Sequence, residues 1–174
     1  MKIFKTYFLA AFLFLVSSST FSQQAAPVST STIKTILVDL AGEQYANTTL
    51  DDIFANYKGN IIYLDFWASW CHPCRQEMPY SLELQKKFQG KDVVFLYMST
   101  DKNAQSWENM VKQLQLTGMN YRASNTILQQ VYKQFNLQYI PRYVLIDKTG
   151  KVVDANAKRP SNPAVAGDIE KLLQ

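Results

Sequence analysis

Residues Ile61 to Trp67 form an almost uninterrupted apolar and aromatic run, and after three more residues the chain reads Cys71-His72-Pro73-Cys74. A run this apolar is how a strand buried on both faces reads, so it belongs in the middle of a sheet with layers on either side. From Cys71 to about Phe88 the pattern turns helical, and Gly90 closes it. Pro79 falls inside that helix; having no N–H for the Arg75 carbonyl, it predicts a kink there. A buried strand delivering two cysteines to the start of a helix constrains the fold more than any other feature of the chain.

Around this centre, strand and helix alternate. Ile36 to Leu40 predicts a strand, and Thr49 caps a short helix ending near Tyr57-Lys58 with Gly59 as its stop. Val93 to Met98 predicts a second buried strand. Gln105 to Leu114 and Asn125 to Phe135 predict helices, the latter with Leu128, Val131, Tyr132 and Phe135 on one face. Tyr139 to Asp147 and Val152 to Asp154 predict a strand pair around Lys148-Thr149-Gly150, and Pro163 to Leu173 a last helix. The alternation predicts an α/β domain, and the closing hairpin adds an antiparallel portion to its sheet. With 174 residues, 47% of them hydrophobic, there is material for one well-packed domain.

Lys2 and Lys5 precede the apolar stretch Tyr7 to Val16, and small residues follow up to Ser22. A charged start, a short apolar core and small residues predict a signal peptide over 1–22, cleaved after Ser22; the alternative is an uncleaved segment kept as a membrane anchor. Residues 23–35, rich in Gln, Ala, Ser and Thr, then predict a flexible leader, leaving 36–174 as the folded domain. Without Lys2 and Lys5 the charge of +4 falls to about +2, too small a surplus to point to nucleic acid. The expected product is exported to the periplasm, with no stable membrane insertion after cleavage.

An exported chain with only two cysteines has not used disulfides as staples. A bridge across two residues closes almost no loop and adds little stability, so a reactive pair explains Cys71 and Cys74 better than a structural one. The helix start offers free N–H groups and positive potential, which stabilise a thiolate at Cys71. Spacing of i to i+3 puts Cys74 on the same helical face. A zinc site would need more ligands than two thiols and His72, the sole histidine, so neither metal nor other cofactor is expected.

The string Trp67-Ala-Ser-Trp-Cys-His-Pro-Cys-Arg-Gln-Glu-Met-Pro79 resembles the thioredoxin-like oxidoreductases, specifically their exported TlpA/ResA-like branch. Ile140-Pro141 before Val144-Leu145-Ile146-Asp147, and an extra strand–helix segment between Ser99 and Leu137, extend the resemblance over roughly 36–174. It implies a thioredoxin fold: a mixed central β-sheet flanked by helices, with an N-terminal extension, the inserted segment, and a cis Pro141 facing the cysteines.

The resemblance also implies thiol–disulfide exchange with protein substrates, in which Cys71 attacks and Cys74 resolves. Asp65, six residues before Cys71 in the buried strand, matches the thioredoxin aspartate; desolvation should raise its pKa and suit it to take the Cys74 proton. Glu77 matches the TlpA/ResA acidic position, and which acid handles the proton stays open. His72, followed by Pro73, should tune the thiolate. Trp70 and Ile140 are expected to contact substrate, Ile140 by strand addition, and Arg142 to meet acidic groups. Trp67 reads as core. The expected direction is reduction, fed by a membrane electron donor and serving clients such as apocytochromes. A net oxidant or isomerase, or a metal chaperone on the same fold, are the alternatives.

Overall fold

The computed structural model describes residues 34–174; the expected signal peptide and nearly all of the leader lie outside them. Six strands form one sheet in the order β1-β4-β3-β2-β5-β6. They are β1 (Thr35–Asp39), β2 (Ile61–Trp67), β3 (Val93–Ser99), β4 (Gly118–Arg122), β5 (Arg142–Ile146) and β6 (Val152–Ala157). β1, β4, β3 and β2 run parallel, β5 runs antiparallel to β2, and β6 runs antiparallel to β5. The helices are α1 (Leu50–Ala55), α2 (His72–Lys87), α3 (Ala104–Gln113), α4 (Asn125–Phe135) and α5 (Val165–Leu173).

All seven residues of β2 are buried, because it lies between β3 and β5 and is covered on both faces. Alternation along the strand divides its side chains. Ile61, Tyr63 and Trp67 pack with Cys74 and Met78 of α2, Trp107 of α3 and Ile169 of α5. Ile62, Leu64 and Phe66 pack with Ile53 of α1 and Val131 of α4 on the other side. The same alternation carries Asp65 to the α2 side, a carboxylate beneath the helix that bears the cysteines.

Local signals place several elements where the chain's pattern puts them. Thr49 and Asp52 form a reciprocal capping box at α1, each side chain accepting from the other's backbone N–H. Gly118 opens β4 at φ +87°, a backbone conformation that other residues rarely adopt, so the backbone calls for glycine there.

Other boundaries move. Thr35, assigned to the leader, already pairs with Gly118, so β1 begins one residue earlier than expected. β5 begins at Arg142 rather than Tyr139, since a bend and a cis Ile140–Pro141 peptide precede it. β6 extends to Ala157, and α5 starts at Val165 rather than Pro163. The buried row of α4 is Ile127, Val131 and Phe135; Leu128 is half-buried and Tyr132 exposed. An i, i+4 row covers only part of a helix, and here the 127–131–135 row meets the sheet while the row beside it turns outward. α2 is a single helix across Pro79.

Candidate active site

Cys71 is the N-cap of α2, and its Sγ accepts the Cys74 N–H at 3.2 Å. His72 and Pro73 occupy the first two helical positions; Pro73 fits there because a helix start needs no N–H from it. Cys71 and Cys74 are joined in a disulfide, with Cα atoms 5.3 Å apart. Cys71 is 4% exposed and Cys74 0%, so of the two only Cys71 keeps any accessible surface. Trp70, immediately before it, is 68% exposed, whereas Trp67 is fully buried. His72 and Pro73 are exposed.

The loop carrying Ser69 and Trp70 is held by a residue that the sequence reading missed. Asp101 is 3% exposed. Its carboxylate accepts the Ser69 N–H at 2.8 Å, the Ser69 hydroxyl at 2.7 Å and the Ser99 hydroxyl at 2.6 Å. Arg75 Nη1 adds a bond to the Ser69 carbonyl at 3.1 Å. No local pattern marks Asp101, because its partner loop is 32 residues away; an acid directly after a buried strand was the available hint. Asp101→Ala would leave three buried donors without an acceptor, at about 1–3 kcal/mol each before relaxation. A loss of about 3 kcal/mol, or about 10 °C in Tm by thermal melting, is the expected result. A melt unchanged within a degree would show that the clamp contributes nothing.

Asp65 is 1% exposed, and neither of its carboxylate oxygens has a hydrogen-bond partner. Burial first, then the negative charge of Glu77, pushes its pKa well above the ordinary carboxylate value. In the sheet it is flanked by Tyr97 of β3 and Tyr143 of β5. The Tyr97 hydroxyl is paired with Ser81 Oγ at 2.9 Å, whereas the Tyr143 hydroxyl is unpartnered.

Glu77 differs in kind. Its carboxylate accepts the Ser161 N–H at 3.0 Å, the Ser161 hydroxyl at 2.9 Å and Arg159 Nη1 at 3.4 Å. It therefore staples α2 to the β6–α5 loop and is only 7% exposed. Arg142, expected to meet acidic groups, is half-buried. Its Nη1 donates to the Ala155 carbonyl at 3.3 Å and its guanidinium lies 4.8 Å from the centre of the Tyr139 ring. The geometry thus uses Arg142 to hold the β5–β6 pair and to orient Tyr139. Ile140 lies in the bend before β5, half-buried and sharing a groove with Trp70. Among the described residues no group of three or more His, Cys, Asp or Glu side chains is gathered as a metal site would require.

A sheet of this topology, with a disulfide-bonded cysteine pair opening the helix after its central strand, defines a thioredoxin-fold thiol–disulfide oxidoreductase. A family model described as thioredoxin-like matches residues 59–152. The chain belongs to that thioredoxin-like family, on its TlpA/ResA-like branch, and is a thiol–disulfide oxidoreductase. The thiol-disulfide oxidoreductase ResA of Bacillus cereus is 30% identical over 137 residues, 79% of this chain and 73% of that protein. The ResA of Geobacillus kaustophilus is 28% identical over 145 residues, 83% of this chain and 78% of that one. A crystal structure from Bacteroides vulgatus, of a protein assigned to the thiol-disulfide oxidoreductases, superposes with a TM-score of 0.62 at 39% identity, covering 68% of this chain and 82% of that one.

Proposed function

We propose that the protein is exported to the periplasm and there reduces protein disulfides, recharged by a membrane electron donor and acting on clients such as apocytochromes. The observation that carries this reading is the asymmetry of the pair: Cys71 at the helix cap, bonded by a backbone N–H and adjoining exposed Trp70, above a fully buried Cys74. The Cys71 thiolate attacks a client disulfide, expelling one client thiolate and forming a mixed disulfide. Cys74 then gives up its proton and attacks Cys71 Sγ, releasing the second client sulfur, which is protonated. Two electrons pass to the client, and the protein is left with the Cys71–Cys74 bond.

Asp65 is the proton acceptor in this scheme. The Glu77 carboxylate is engaged by Ser161 and Arg159, whereas Asp65 is desolvated and unpartnered. Glu77 is assigned the positioning of α2. The N-terminal pattern of residues 1–22 supports export; among the described residues no helix is long and apolar enough to cross a membrane.

Redox titration against glutathione tests the direction. A reductant should show a potential nearer that of thioredoxin, about −270 mV, than that of a strong oxidant, about −120 mV. A value near the latter would overturn the reductant reading and leave a net oxidant. In the same titration His72→Ala should be more reducing by roughly 6–20 mV, because the imidazole beside Cys71 favours the thiolate and hence the reduced form. An unchanged or more oxidising potential would show that His72 does not act on the pair.

A further inference from the structure

Three tyrosines surround Asp65, and their hydroxyls differ in what they bond. Tyr63 lies two residues before it on β2, Tyr97 is its neighbour on β3, and Tyr143 its neighbour on β5. The Tyr63 hydroxyl donates to the Lys158 carbonyl at 2.7 Å, and the Tyr97 hydroxyl is paired with Ser81 Oγ at 2.9 Å. The Tyr143 hydroxyl is buried with no partner among the described residues, as are both Asp65 oxygens. Native interiors seldom leave such groups unpaired, because each forfeits its bonds to water. Here an unused donor and an unused acceptor are neighbours. Asp65 and Tyr143 stand directly opposite in the antiparallel β2–β5 pair, where Cβ atoms are about 4.5–5.5 Å apart. The Tyr143 ring stacks on Tyr63, with centroids 5.6 Å apart and planes 16° from parallel, which holds it on the α2 side of the sheet.

To take the Cys74 proton, Asp65 must be an anion in the reduced protein, and a buried anion needs hydrogen bonds or an opposite charge. The groups around it offer no positive charge of their own. α2 brings Cys74 and a second acid, Glu77, whose charge opposes another beside it. Arg159, on the β6–α5 loop, pairs with Glu77 at 3.4 Å. The buried residues of α3 and α5 include no titratable group. Of the three hydroxyls, only that of Tyr143 has its hydrogen uncommitted. Burial first, then the charge of Asp65, pushes the Tyr143 pKa far above the ordinary phenol value, so that hydrogen is kept. We propose that in the reduced protein the Tyr143 hydroxyl donates a hydrogen bond to the Asp65 carboxylate, directly or through one water, and keeps it charged until Cys74 gives up its proton. Once the disulfide has formed, Asp65 carries that proton and the bond is released. Tyr143 is then a positioning residue for the resolving step, acting through Asp65. The inference rests on the reading of Asp65 as the proton acceptor.

The test is the pH dependence of the resolving step. Stopped-flow mixing of the reduced protein with a peptide carrying one disulfide separates two phases. The concentration-dependent phase is formation of the mixed disulfide, and the concentration-independent phase is its resolution. In the wild type the resolution rate should rise through a midpoint set by Asp65 and then level off. Tyr143→Phe keeps the ring and its stack on Tyr63. It should move that midpoint up by about 1 pH unit, the effect of losing one hydrogen bond to a charged group, and leave formation unchanged. Below the midpoint, resolution should then be about 10-fold slower, with recovery at high pH, whereas a purely structural effect would lower the rate at every pH. Tyr97→Phe, whose hydroxyl is already taken by Ser81, should leave the midpoint in place. A Tyr143→Phe profile that superimposes on the wild type, or an equal shift in Tyr97→Phe, would overturn the role of Tyr143. Asp65→Asn separates that outcome from failure of the underlying reading. If Asp65→Asn keeps the wild-type midpoint, Asp65 is not the acceptor and both ideas fall. If the midpoint is lost in Asp65→Asn but unmoved in Tyr143→Phe, only Tyr143 is removed.

Discussion

Cys71→Ser is expected to bring catalysed reduction of a protein disulfide down to background, whereas Cys74→Ser is expected to turn the protein into a trap that accumulates mixed disulfides. The asymmetry follows from exposure and hydrogen bonding. Cys71 alone reaches the surface, and the Cys74 N–H at the start of α2 stabilises negative charge on its sulfur. A serine at 71 keeps the cap but is no nucleophile toward sulfur, and buried Cys74 offers no second route in. A serine at 74 leaves the attack intact and removes the group that expels the client. Non-reducing electrophoresis after incubation with client, paired with an insulin-reduction assay, reads both outcomes. Adducts on Cys71→Ser and none on Cys74→Ser would reverse the two roles.

Asp65→Asn is expected to slow the resolving step by roughly 10²-fold at neutral pH, within the range for loss of a positioned base. The slow phase should be release from the mixed disulfide rather than its formation, and raising the pH should partly restore it as Cys74 ionises without help. Stability should move the other way. Asp65 faces Tyr63 on its own strand, Tyr97 and Tyr143 on the neighbouring strands and Glu77 on α2, and among these Glu77 raises its pKa further. Because the folded-state pKa lies above the unfolded one, the folded protein binds more protons in between. Stability is then lost as pH rises from about 4 through the folded pKa. The Asn variant should be the more stable at neutral pH, by on the order of 1–3 kcal/mol, with the gap closing in acid. A wild type and variant with parallel stability–pH curves, or unchanged resolution kinetics, would remove Asp65 from the proton path.

Much of the fold was legible along the chain because the signals are local. The run Ile61 to Trp67 reads as a strand buried on both faces, and that alone puts Asp65 among desolvated residues before any contact is known. Thr49 and Gly59 bound the segment holding α1, and Asn125 and Phe135 coincide with the ends of α4. What failed did so at the same scale. The outward row of α4 looked as apolar as the buried one, and the strand before Arg142 was drawn through a bend that apolarity does not reveal.

The chain by itself therefore determined the α/β class, the buried central strand and the cysteine pair at a helix start, since period, capping and proline placement act within a few residues. Only the tertiary structure decided how the site is held and what surrounds it. Ser69 meets Asp101 across 32 residues, and Glu77 meets Ser161 across 84. These pairings made Asp101 a clamp and Glu77 a staple, and left Asp65 as the unpartnered acid. Trp70, Tyr132 and Tyr139 became one surface only when strand register and the rotation of α4 brought them together. Register and helix rotation are settled by packing the whole core at once, and no short stretch of residues carries that information.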